Sequence, residues 1–250
     1  PQIYGHDLKI FNITIHDCVF KGKRYTFTSV LISYCSNLTL YNLSISGTWG
    51  LKVYYSHNVF IYNNTCGKYQ IFSSKNIILH DNVAVNGSDG LIASGENISF
   101  YNNNAYLILA NGNDICIHNN TFLRQGIEAR GQNISIQNNT LHFSAGRTGN
   151  VQGAIRVEGS TSSAEPIFSN SNITIKNNKI DAKGDLVFTE TVVDGFGCAG
   201  VYLTDINGLT MVNNIIRSNG RTAKGCLFTH VANTNIQNNS INVKGNYSVG

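Results

Sequence analysis

Residues 133–140 read Asn-Ile-Ser-Ile-Gln-Asn-Asn-Thr, and residues 172–179 read Asn-Ile-Thr-Ile-Lys-Asn-Asn-Lys. The shared phrase is Asn, aliphatic, any, aliphatic, any, Asn or Asp, Asn. It starts ten times, at Asn12, Asn37, Asn58, Asn76, Asn97, Asp114, Asn133, Asn172, Gly208 and Asn233. Successive starts lie 17 to 25 residues apart, except for longer steps after Asn133 and after Asn172. A unit this short cannot bury an apolar face alone, so its copies must stack as a solenoid.

Inside each copy the aliphatic residues alternate, as in Ile115 and Ile117, Ile134 and Ile136, and Ile173 and Ile175. Period two and β-branching predict a short strand with one face inward. A second strand precedes the phrase and aligns as Leu91-Ile92-Ala93-Ser94-Gly95, Ile108-Leu109-Ala110-Asn111-Gly112, Ile127-Glu128-Ala129-Arg130-Gly131 and Ile155-Arg156-Val157-Glu158-Gly159, with first and third residues inward. Strands this short need neighbours above and below to satisfy their backbone, and two or three of them per coil of about 20 residues make a parallel β-helix. The sixth position of the phrase is Asn or Asp in all ten copies, and the seventh is Asn in eight. Both are assigned to structure: asparagine tolerates left-handed turns, and its amide bonds to its copies along the stack.

Composition agrees. The 250 residues include 35 Asn and 24 Gly, are 42% hydrophobic, and carry 13% charged residues against a typical ~25%. That hydrophobic share excludes disorder, and no apolar run approaches the ~18 residues of a membrane helix. The net charge of +4 is scattered, which gives nucleic-acid binding little support. The six cysteines form no Cys-x-x-Cys pair and are expected to be free, buried thiols. The histidines lie too far apart for a metal site, and nothing in the sequence calls for a cofactor.

The two phrases quoted above resemble the right-handed parallel β-helix repeat of the pectate-lyase-like superfamily, over nearly the whole chain. The resemblance implies an all-β, right-handed, single-stranded parallel β-helix of about ten coils. Residues 1–250 are read as one such domain with insertions near 144–171 and 183–200. The chain opens at Pro1 without a leader, and both ends lack a recognisable polar cap, so a piece of a longer, fibre-like polypeptide is expected. The superfamily includes pectate lyases, polygalacturonase-like hydrolases, uronan epimerases, adhesins and bacteriophage tailspikes. The polygalacturonase-like set of Asn-Thr-Asp, Asp-Asp, Gly-His-Gly and Arg-Ile-Lys is absent, as are the Arg-rich signature of calcium pectate lyases and the Asp-Pro-His motif of epimerases.

Candidate chemistry lies on outward positions of the strand before the phrase. Glu128 and Arg130 are followed one coil later by Arg156 and Glu158, and then by Tyr202 and Thr204. Neighbours in a parallel ladder sit about 4.8 Å apart, so Glu128 should meet Arg156 and Arg130 should meet Glu158. The plain reading is surface ion pairing worth ~0 to 1 kcal/mol per pair. The functional reading makes Glu128, Arg130, Arg156, Glu158 and Tyr202 a glycan-binding surface. A carboxylate held between two guanidiniums makes a poor general acid, so an acid is sought in the inserted segment, at Glu190, Asp194 or Asp185. Insertions at Ser144 to Gly153, Ser160 to Ser171 and Lys183 to Gly200 would form loops around this surface.

Two further patterns are outward. The fifth position carries rings in six successive copies, His16, Tyr41, Tyr62, His80, Tyr101 and His118, which suits sugar stacking, a subunit contact, or stacking of the rings on one another. Leu31, Phe72, Ile92 and Leu109 form an outward apolar strip that calls for cover, as from other subunits. The resemblance and these features together suggest a tailspike or tail-fibre segment on a virion surface: a homotrimer that binds host cell-surface polysaccharide, with depolymerisation as a further option, no nucleic-acid partner and no membrane insertion. The alternatives are a secreted, extracellular bacterial polysaccharide lyase or glycoside hydrolase, and a non-catalytic adhesive or structural β-helix.

Overall fold

Strand pairing among the described residues is parallel, coil on coil, with a register shift between Ile71 and Ser74. The computed structural model describes residues 2–4, 10–21, 30–46, 50–84, 90–145, 152–158, 170–184, 198–220 and 223–245. They fall into two compact units, Pro1–Thr121 and Phe122–Gly250, and each is a parallel β-helix. No helix among the described residues is long and apolar enough to cross a membrane.

In the first unit the strand before the phrase stacks Leu51 and Val53 on Val30 and Ile32, then Tyr69 and Ile71, Leu91 and Ala93, and Ile108 and Ala110. The phrase strand stacks Leu38 and Leu40, Val59 and Ile61, Ile77 and Leu79, Ile98 and Phe100, and Ile115 and Ile117. All are at most 1% exposed, as the alternation requires. A third, short strand follows the asparagine turn and turns Ile45, Cys66 and Ala84 inward. The second unit repeats the plan. Ile127 and Ala129 meet Ile155 and Val157, Ile134 and Ile136 meet Ile173 and Ile175, and Leu141 and Phe143 meet Ile180 and Ala182.

The asparagines divide into three columns with different work. All ten sixth-position residues, from Asp17 to Asn238, have positive φ between 51° and 57°, so they hold a left-handed corner. The first-position residues do the same, with φ between 53° and 58° except at Gly208, where it is 85°. Of the 24 described non-glycine residues in this region, all but Tyr34, Tyr55, Ser73 and His230 are Asn or Asp. The richness in asparagine is therefore a demand of the backbone, since other residues pay ~1 kcal/mol or more there. First-position amides also bond along the stack: Asn37 to Asn12 (2.9 Å), Asn58 to Asn37 (2.8 Å), Asn76 to Asn58 (2.8 Å) and Asn97 to Asn76 (3.1 Å). Where Gly208 leaves no amide, Asn207 accepts from Asn233 instead.

The seventh-position column is buried from Asn64 to Asn214. Asn82, 1% exposed, takes the Asn64 backbone N–H and side-chain Nδ2 on its Oδ1 (both 3.1 Å). Its own Nδ2 donates to the Ile61 carbonyl (2.8 Å) and to Asn103 Oδ1 (3.1 Å). In the second unit Asn178 is bound the same way between Asn139 and Asn214. Each amide thus satisfies backbone groups that the turn would leave unpaired in the interior.

Glycine is required where the corner admits no side chain. A Cβ on Gly112, at φ 147°, would lie 1.8 Å from the Gly95 carbonyl oxygen. All six cysteines are free, and Cys35, Cys66 and Cys198 are buried. Burial pushes the Cys66 thiol up to about 11, and those of Cys198 and Cys226 to about 12.

Two outcomes follow from this packing. Asn82→Ala should destabilise by about 3 kcal/mol, because several buried groups lose partners at ~1 to 3 kcal/mol each, whereas Asn102→Gly at an exposed corner should cost a few tenths at most. Equal midpoint shifts in urea for the two variants would refute the division between buried and exposed columns. Second, the thiols of Cys66, Cys198 and Cys226 stay protonated in the native state above their ordinary value of 9.0, while the unfolded chain ionises. The native state then binds more protons, so the stability they give is complete below pH 9 and declines progressively between about pH 9 and 12. Replacing these cysteines with alanine should flatten that decline in urea melts across the range.

Candidate functional site

Four strands of the second unit, Thr121–Gln137, Gln152–Val157, Cys198–Val212 and Lys224–Gln237, turn one face outward. Inward branched residues fix each backbone, so every alternate side chain stands on a rigid floor. The register places Glu128 beside Arg156, Arg156 beside Tyr202, and Tyr202 beside Leu227. All five residues proposed from sequence as a binding surface come together on this face.

Both cross-strand pairs expected from the sequence form, but neither is the tightest contact. The tightest ion pair lies within one coil, between Arg156 Nη2 and Glu158 Oε1 at 2.5 Å. Glu158 also meets Arg130 Nη2 at 3.3 Å, while Arg156 Nη1 stands 3.8 Å from Glu128 Oε1. Glu158 is the hub because its side chain is only 12% exposed and accepts from two guanidiniums. Residues two apart share a strand face, so a long Arg156 side chain reaches its own strand mate as readily as its neighbour.

The guanidinium of Arg156 lies 5.9 Å from the centroid of the Tyr202 ring, within cation–π range. Burial pushes the Tyr202 phenol up, the Glu158 carboxylate adds to the rise, and Arg156 opposes it. The polar row continues past Tyr202, where Thr204 donates to Asp205 (2.9 Å) and Asp205 meets His230 Nδ1 at 3.1 Å. Sequence reading missed Asp205 and His230 because they sit at a corner, one residue beyond the alternation, where both take positive φ.

A second outward row was also missed. The strands Thr140–Ala145, Lys179–Gly184, Ile215–Gly220 and Ser240–Lys244 align His142, Asp181, Arg217 and Asn242, and two residues on they align Ser144, Lys183, Asn219 and Lys244. These rows wall a cavity of about 700 Å³. The signal was legible: the five residues after each Asn-Asn pair alternate as Thr-Leu-His-Phe-Ser, Lys-Ile-Asp-Ala-Lys, Ile-Ile-Arg-Ser-Asn and Ser-Ile-Asn-Val-Lys.

The ring stripe of the first unit is a continuous stack. Centroids from His16 through Tyr41, Tyr62, His80, Tyr101 and His118 lie 4.6 to 5.2 Å apart with interplanar angles of 1° to 11°. Ring faces are thus spent on one another, which leaves edges, not faces, for any partner. Leu31, Phe72, Ile92 and Leu109 are half-buried. Asp185, Glu190 and Asp194, with most of the insertions, lie outside the described residues. Among the described residues no three His, Cys, Asp or Glu side chains cluster to hold a metal.

No protein-family model and no curated protein sequence matches the chain. A solved structure similar to it is the family 28 exopolygalacturonase of Yersinia enterocolitica, with a TM-score of 0.37 and 14% identity. The match covers 86% of this chain and 46% of that one, so the chain spans about half its length.

The electrostatics of the Tyr202 site have a direct check. Glu158→Gln should lower the Tyr202 pKa, because a neighbouring anion no longer opposes ionisation, and Arg156→Gln should raise it. Titration of 13C-tyrosine signals reads both; shifts of the opposite signs would show that the two charges do not face the phenol.

Proposed function

We propose that the chain is a polysaccharide-binding β-helix whose recognition surface is the outward face bearing Glu128, Arg130, Arg156, Glu158 and Tyr202. The observation that carries this reading is the Arg156 guanidinium held by Glu158 and Glu128 over the Tyr202 ring. Its geometry is set before any ligand arrives, so little ordering cost remains on binding. Donors, acceptors and an aromatic body repeated at ladder spacing suit a chain of hydroxyl-bearing rings. The two acids and two bases balance in charge, which fits hydroxyl recognition better than attraction of a polyanion.

Binding is favoured over cleavage at these residues. Glycoside hydrolysis needs one carboxyl free to give a proton, and Glu158 is committed to two arginines while Glu128 faces a third contact with Arg156. The finer reading is a tailspike or tail-fibre segment on a virion surface, trimeric, with host cell-surface polysaccharide as partner. Its support is the outward strip Leu31, Phe72, Ile92 and Leu109, which a second and third chain would cover.

Two measurements test the reading. In a glycan array, Arg156→Gln and Tyr202→Ala should each reduce retention of the bound glycan about tenfold or more while circular dichroism shows the β-helix intact. Unchanged retention in both variants would remove the surface from the site. Light scattering should give three times the chain mass; a monomer would overturn the tailspike reading and leave the binding surface standing.

A further inference from the structure

The cavity between the rows His142–Asn242 and Ser144–Lys244 lies on a different strand set from the Glu128–Tyr202 surface and differs from it in charge. Lys183, Arg217 and Lys244 face one carboxylate, Asp181, which stands 3.6 Å from Arg217 and 3.8 Å from His142. Lys183 and Lys244 are exposed and have no carboxylate within ion-pair distance among the described residues. In the register Lys183 meets Asn219, and Asn219 meets the coil position of Lys244. Two ladder steps of ~4.8 Å therefore separate the ammonium-bearing positions by about 10 Å, with the Asn219 amide between them.

We propose that this groove binds an acidic saccharide chain, its carboxylates against Lys183, Arg217 and Lys244 and its hydroxyls against Asn219, Asn242 and Ser144. The excess of cations over carboxylates makes the groove attract an anion, and the interleaved amides supply the neutral hydrogen bonds that a sugar ring needs and a bare ion does not. Nucleic acid fits less well. Phe143 is 6% exposed, so it offers no platform for bases, and Asp181 stands in the row where a dense phosphate backbone would run. The inference stands independently of the Glu128–Tyr202 reading, because no residue is shared.

The test uses the full chain, with oligomers of glucuronate, galacturonate and sialic acid, their carboxyl-reduced neutral counterparts, and a single-stranded oligonucleotide as probes in titration calorimetry. At least one acidic oligomer should bind saturably and more weakly at higher salt, its neutral counterpart should bind at least tenfold more weakly, and the double variant Lys183→Gln with Lys244→Gln should lose about tenfold in affinity. Both lysines are exposed, so the variant keeps the fold, which circular dichroism verifies. Arg156→Gln should leave this binding unchanged, which separates the groove from the other surface. Equal binding of neutral and acidic oligomers, tighter binding of the oligonucleotide, no loss in the double variant, or no saturable binding of any acidic oligomer would each overturn the proposal.

Discussion

A side-chain amide buried at the asparagine turn, from Asn64 to Asn214, is the constraint on which the coils depend. A chain that turns inside its own core leaves backbone N–H and C=O groups without water, at a cost of ~1 to 3 kcal/mol for each unpaired group. Asn82 meets two such groups, the Asn64 N–H and the Ile61 carbonyl, and links to the next amide in the column with its remaining capacity. A carboxylate would bring charge into the interior without donors, and glutamine would carry its amide one bond too far. Leu43 and Cys18 stand at this position in the first coils, and there the column ends: the Leu43 N–H is met by Asn64, but neither side chain passes the amide on.

Once the turns are pinned, the outer faces become a lattice. Branched residues inside hold each strand at ladder spacing, so outward side chains line up whatever their chemistry. In the first unit that lattice brings six rings into one stack, and their faces are consumed by it. In the second unit it brings acids and bases together instead. The same backbone therefore yields an inert stripe in one place and a display of unspent polar groups in another, and the difference lies wholly in the outward residues.

The two polar surfaces of the second unit illustrate what charge balance does. Around Arg156 the acids equal the bases, the groups bind one another, and the surface is rigid and close to neutral. Around Arg217 the cations exceed the acids, and Lys183 and Lys244 stay exposed to solvent. A polymer that touched both would meet hydroxyl-recognising and carboxylate-recognising surfaces, each at ladder spacing.

The repeat phrase alone determined the strands, their inward residues, the parallel stacking and the left-handed corners at the sixth position, because these follow from period-two alternation and from the few residues that tolerate positive φ. It also brought Glu128, Arg130, Arg156, Glu158 and Tyr202 to one face, since register in a solenoid is carried by the repeat itself. Three matters waited for the tertiary structure. That the seventh-position amides are buried while the sixth are exposed depends on the path of the turn, which places neighbouring residues on opposite sides of the wall. That Glu158 pairs first with Arg156 of its own coil depends on side-chain reach, which strand alignment does not encode. That Asp205 joins His230 depends on two corner residues of positive φ, outside the alternation that register carries, meeting across coils. Alternation tells which way a side chain points; only packing in three dimensions decides what it meets there.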